Sequence, residues 1–141
     1  MTTPHNLDRF LNAQQGIYDT ALAEIKNGRK ASHWMWFIFP QIKGLGHSDT
    51  AKFYAIKGKE EAQEYLIHPI LGQRLIDISE ELLQLHSTDA VQIFGNIDAI
   101  KLKSSMTLFS LLPNTNPVFQ KVLDKFFHGE KDDRTIGIVT A

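Results

Sequence analysis

Apolar residues three and four positions apart, in short runs that glycine or proline closes, restrict this chain to packed short helices. Over residues 6–27, Leu7, Phe10, Leu11, Ile17, Tyr18, Ala21, Leu22 and Ile25 carry the spacing, with Asn6 as a candidate N-cap and Gly28 as a stop. Gly16 interrupts that run, where glycine costs about 1 kcal/mol relative to alanine, so the segment reads as one helix or as two meeting at a bend. The run Trp34-Met35-Trp36-Phe37-Ile38-Phe39 has no period, and its helical surroundings favour a short buried helix over a buried strand. Residues 40–48 form a loop, because Pro40, Gly44 and Gly46 break any regular pattern.

Ser48 or Asp49 can cap the next helix, which runs through Phe53 and Tyr54 to Gly58. Residues 60–67 give a further helix, and residues 69–85 another with Leu71, Leu75, Ile78, Leu82 and Leu85 on one stripe and Pro69 at its start. Thr88 or Asp89 caps a short piece ending at Gly95, Asn96 or Asp98 opens a helix to Leu112, and residues 117–127 make the last strong one. Residues 132–141 are weakly patterned. The expectation is all-α: a compact single-domain orthogonal bundle of about six or seven short helices, spanning residues 1–141 as one domain.

At 141 residues with 43% hydrophobic content, one core suffices without covalent staples. The absence of cysteine excludes a disulfide scaffold, a zinc-thiolate site and a thiol nucleophile. Fifteen Lys and Arg against sixteen Asp and Glu leave a net charge of -1, no field to gather a nucleic-acid polymer or an anionic lipid surface. Residues 1–6 lack a secretory pattern, and residues 34–40 are too short an apolar run to span a bilayer, so a cytoplasmic protein without membrane partners is expected. His5, His33, His47, His68, His86 and His128 show no ligand spacing, so neither a metal nor a cofactor is expected. His68, before a proline, reads as a local hydrogen-bonding group.

Three stretches can carry chemistry. His33, Trp34 and Trp36, followed by Gln41, place both indoles of the chain beside a basic pair that includes Lys30; most of this run reads as core, with one indole free to stack on a flat ring. Gly44, Gly46 and Ser48 can turn backbone N–H groups toward an anion, although the stretch lacks the third glycine of a dinucleotide fingerprint and the Gly-Lys ending of a P-loop. Asp98, Lys101 and Ser105 lie on one helix face that continues through Phe109 and Leu112, the mark of a core helix whose first half borders a polar cleft. Ser104 adds a second hydroxyl there.

Taken together, His33-Trp34-Met35-Trp36-Phe37-Ile38-Phe39-Pro40-Gln41, Gly44-Leu45-Gly46, Phe94-Gly95, Asp98, Lys101 and Ser104-Ser105-Met106-Thr107-Leu108-Phe109 make the chain resemble domain of unknown function family 1810, a small bacterial and fungal family. That resemblance extends over nearly the whole chain and implies a mainly helical domain; it brings no activity with it. Tyr65-Leu66, Pro69, Leu71, Leu75, Leu82 and Phe94-Gly95 are similar in layout to helices of the NADAR superfamily, which acts on ADP-ribose-linked and NAD-derived nucleotides. The Thr/Ser-x-Glu-His start of the NADAR catalytic helix is absent from this chain.

The expected function is binding of a small anionic ligand of nucleotide type, ADP-ribose among the candidates, with hydrolysis of an N-glycosidic bond as the associated chemistry. Trp34 or Trp36 stacks the ring, residues 44–48 with Lys101 and Ser105 hold phosphate, and Asp98 or Glu24 supplies the carboxylate for an oxocarbenium-like transition state. Lys30 or Lys101 is an alternative Schiff-base nucleophile. The competing class is a non-enzymatic interaction module or a structural homodimer without a small-molecule site.

Overall fold

The computed structural model describes residues 6–141, so His5 lies outside the described residues. It contains ten helices and one isolated bridge: α1 (Asp8–Gln14), α2 (Tyr18–Lys26), α3 (Met35–Ile38), α4 (Asp49–Tyr54), α5 (Lys59–Ile67), α6 (Leu71–Gln84), α7 (Ala90–Phe94), α8 (Asn96–Ser110), α9 (Val118–Phe127) and α10 (Asp133–Val139). The fold class is all-α. Ten helices exceed the six or seven expected, and two of the additions have local causes. Gly16, at φ +75°, divides the first run into α1 and α2, and the weakly patterned tail holds α10.

Side-chain caps mark three of the helix starts. The Ser48 hydroxyl accepts from the Ala51 N–H, Asp89 accepts from Val91 and Gln92, and Asp132 accepts from Thr135. Before α6 the cap is a ring nitrogen: His68 Nδ1 accepts from the N–H groups of Ile70 and Leu71 at 3.1 and 3.2 Å, and Pro69 stays outside the helix. Asn6 does not cap α1; its carbonyl instead accepts from the Arg9 guanidinium. At the far end of α6, the Lys125 ammonium donates to the carbonyls of Leu82 (2.9 Å), Leu83 (3.2 Å) and Leu85, and burial pushes its pKa down.

α8 runs through the middle, packed by α5, α7, α9 and α10, while α6 bridges α2, α5 and α9. Two aromatic series fill the interior. Phe10, Tyr65, Phe109 and Phe119 follow one another with ring centroids 5.0, 5.6 and 5.7 Å apart, and Trp34 and Phe39 each meet Phe94 edge-on. Tyr65 is fully buried, which raises its phenol pKa, and its oxygen accepts from Gln14 at 3.0 Å. Gly72 has no room for a side chain: a Cβ there would lie 1.9 Å from the Leu66 carbonyl oxygen, so the start of α6 presses directly on the end of α5.

One buried ion pair pins α1 to α5. Arg9 Nη1 and Nη2 reach Glu61 Oε2 and Oε1 at 2.9 and 3.1 Å, and the same guanidinium donates to the carbonyls of Phe53 and Ala55. The loop after α3 is tied down by the bridge between Ile42 and Ile56, with Lys43 N–H donating to the Ile56 carbonyl and Ile56 N–H to the Gln41 carbonyl, both at 2.8 Å. That tether fixes residues 41–46 beside α4 and α8.

Candidate functional site

The segment 28–36 folds around the Glu24 carboxylate. Glu24 Oε1 accepts from the N–H groups of Ala31 (2.7 Å) and Ser32 (3.0 Å) and from the Trp34 indole (2.9 Å), and Oε2 accepts from the Ser32 hydroxyl (2.5 Å). Desolvation pushes the Glu24 pKa up, but the hydrogen bonds from Ser32, Ala31 and Trp34 outweigh it and hold the group at about 2. A carboxylate with all its donors supplied by its own chain is a structural anchor.

Trp34 is fully buried, packed against Phe39 and Phe94, and offers no face for a ligand ring. Lys30 lies 5.0 Å from the Trp34 ring centroid, donates to the Ser32 carbonyl and reaches Asp98 Oδ2 at 2.8 Å. Asp98, in the first turn of α8, also faces Lys101 at 3.5 Å. Lys101 in turn stands 4.6 Å over the Trp36 ring. Thus Lys30, Asp98, Lys101 and Trp36 form one contact series, with Asp98 paired to two ammonium groups and the second of them set over the Trp36 ring.

Beyond Lys101 lies a cleft of about 250 Å³ between the 41–46 segment, α8 and the start of α10. Gln41, Leu45, Gly46, Ile97, Ile100, Lys101, Ser104, Asp132 and Arg134 line it. Leu45, Ile97 and Ile100 give apolar walls; Ile97 and Ile100 are 71% and 66% exposed, so the cleft opens onto an apolar rim. Lys101 and Arg134 supply positive charge. Arg134 is exposed, and its guanidinium donates to the Gly44 carbonyl at 3.5 Å. Asp132 Oδ2 accepts from Ser104 (3.1 Å), from the Thr135 N–H (3.1 Å) and from the Thr135 hydroxyl (2.5 Å), and so caps α10 from the edge of the cleft.

Sequence reasoning thus brings Gln41, Gly46, Lys101 and Ser104 to one cleft, with Asp98 directly behind Lys101 and Trp36 beneath it. It does not bring the others. His33 is exposed and does not line the cleft, Ser48 is an exposed cap, and Gly44 contributes its carbonyl to Arg134 and otherwise faces the opposite side of the loop. Ser105, placed on the ligand face by helical spacing, is fully buried, and its hydroxyl has no hydrogen-bond partner among the described residues. Its neighbour Ser104 takes the position over the cleft. Sequence spacing does not reveal Arg134 and Asp132, because the apolar residues of the 132–141 segment bunch at 136–139 and do not repeat at helical spacing; Asp132 as a candidate N-cap is the signal present. Among the described residues no group of His, Asp and Glu is placed to hold a metal ion, and no helix is long and apolar enough to cross a membrane.

Residues 4–139 match the family described as protein of unknown function, DUF1810. The chain belongs to that family. The crystal structure of the conserved hypothetical protein Rv1873 from Mycobacterium tuberculosis is similar to this DUF1810 member over 99% of both chains, at 42% sequence identity and a TM-score of 0.96. No curated protein matches the chain. The DUF1810 description carries no activity, so function is argued from the cleft.

Proposed function

We propose that this DUF1810 protein binds a small anionic ligand of nucleotide type in the cleft between the 41–46 segment, α8 and α10. The observation that carries the reading is the position of Lys101: backed by Asp98, set over Trp36, and opening onto a cleft whose other cation is Arg134. Two cations facing apolar walls suit a molecule with an anionic group at one end and a flat apolar ring at the other. In this arrangement the ring rests on Leu45, Ile97 and Ile100, and the phosphate lies between Lys101 and Arg134. ADP-ribose-type compounds fall within that description.

Binding is favoured over hydrolysis of an N-glycosidic bond. Such chemistry needs a carboxylate free to stabilise an oxocarbenium ion or to move a proton, and both carboxylates read from the sequence are engaged: Glu24 by the 31–34 backbone and side chains, Asp98 by two lysines. A non-enzymatic interaction module draws support from the exposed Ile97 and Ile100, which a protein partner would cover equally well.

A thermal-shift titration with AMP, ADP-ribose and NAD separates these readings. At a hundred times its Kd, a ligand that binds only the folded state adds about 2.7 kcal/mol of stability. At least one nucleotide is expected to raise Tm and to perturb the emission of Trp36, and Lys101→Ala is expected to abolish both while the far-UV spectrum stays unchanged. A flat response across the three nucleotides refutes the ligand reading. Concentration-dependent sedimentation without any nucleotide effect would favour the interface.

A further inference from the structure

The 44–46 backbone has a second hollow on its other side, of about 260 Å³, lined by Lys43, Gly44, Gly46, His47, Lys52 and Ala55. Gly46 is a wall of both this hollow and the cleft. At position 46 a Cβ would fall 2.5 Å from the Ala51 Cβ, and Gly44 holds a φ of +106° that strains any side chain. The partition is therefore backbone at both positions, with only Leu45 between them contributing a side chain, and that to the cleft.

Lys43, His47 and Lys52 are exposed, and none of their side chains is engaged in a hydrogen bond, an ion pair or a ring contact among the described residues. The Lys43 backbone is fixed by the Ile56 carbonyl and that of Lys52 by the Ser48 carbonyl, so both ammonium groups rise from anchored main chain. An anion placed there meets two lysines and an imidazole that have no competing acceptor to leave. Asp49, one turn before Lys52 on α4, does not line the hollow.

We infer that Lys43, His47 and Lys52 form a second anion subsite, and that the ligand class is a nucleotide with two separated phosphate groups. One phosphate lies between Lys101 and Arg134, and the other crosses Gly46 to the second hollow. This rests on the cleft reading, and the test keeps the two apart.

Isothermal titration of the full chain with AMP and with adenosine 3′,5′-bisphosphate, at low salt so that exposed charges are not screened, reads the second subsite directly. The bisphosphate is expected to bind wild type about tenfold tighter than AMP, the gain typical of one further charge-assisted phosphate contact. In the Lys43→Ala/Lys52→Ala variant the two affinities should converge to within about twofold, with AMP binding and Tm unchanged, since both residues are exposed and neither lines the cleft. Equal affinities on wild type, or a tenfold gap that survives in the variant, overturns the second subsite and leaves the cleft standing. If neither nucleotide binds, both readings fall together.

Discussion

Glu24→Gln is the perturbation that most sharply separates a structural carboxylate from a catalytic one. The side chain keeps its size, and a glutamine carbonyl can still accept from Ala31, Ser32 and Trp34. What it loses is the charge that strengthens those bonds. The folded-state pKa of about 2 lies below the unfolded value of 4.5, so the unfolded chain takes up a proton before the folded one does. The stability contributed by ionised Glu24 is then fully present above pH 4.5 and drains away as pH falls through about 2. The shift sets an upper limit of about 3 kcal/mol, since each pKa unit is worth about 1.4 kcal/mol. Partial exposure screens the carboxylate and lowers that to about 2 kcal/mol.

Urea unfolding followed by tryptophan emission measures this directly. At pH 7, Glu24→Gln should lower the unfolding free energy by about 2 kcal/mol, and by pH 3 the gap should shrink to under half, because the wild type by then has lost most of its advantage. A variant as stable as wild type at pH 7, or a gap that does not change with pH, refutes the argument that charge-assisted bonds hold the 31–34 segment.

Two packing predictions follow from the same coordinates. Gly72→Ala should cost about 3 kcal/mol in urea unfolding, because the new methyl meets the fixed Leu66 carbonyl instead of a movable side chain, whereas Gly137→Ala in α10 meets nothing within 4 Å and should gain up to about 1 kcal/mol; equal effects at the two glycines would contradict the contact geometry. Ser105→Ala should be neutral or stabilising by about 1 kcal/mol, because it removes a buried hydroxyl that has no partner among the described residues, and a calorimetric loss of that size would reveal an acceptor for it.

The helical fold was legible because its signals are local. The stripe Leu71, Leu75, Ile78 and Leu82 and the set Val118, Val122, Leu123 and Phe126 are buried as their spacing requires, and Gly16, Gly28 and Gly129 take the positive φ that ends or bends a run. The ion pair of Arg9 with Glu61 was not legible. Its partners are 52 positions apart, and nothing in either local sequence distinguishes a buried charge from a solvated one. The cleft was half legible for the same reason: helical periodicity places Asp98 and Lys101 on one face but cannot rank Ser104 against Ser105, neighbours separated by 100° of helix. Arg134 reaches the site only through tertiary packing of α10 on α8, which no local pattern records.

Glu24, Lys30 and Asp98, read from the sequence as candidate catalytic groups, connect through direct contacts to Lys101, the fourth of them. Glu24 gathers Ser32 and the Trp34 indole, and this buries Trp34 and leaves Lys30 above its ring. From there Lys30 can reach across to Asp98, and its backbone N–H is fixed on the Ile93 carbonyl at the end of α7, one helix before Asp98 itself. Asp98 is thereby held by a group outside its own helix, and a carboxylate so held restrains Lys101 toward Trp36 instead of letting it swing into solvent. An unrestrained lysine loses up to about 2 kcal/mol of side-chain entropy when a ligand fixes it. If the cleft takes the proposed nucleotide, the contacts from Glu24 to Trp36 lower that cost by ordering Lys101 beforehand, so Lys30→Ala should weaken binding in isothermal titration even though Lys30 does not line the cleft.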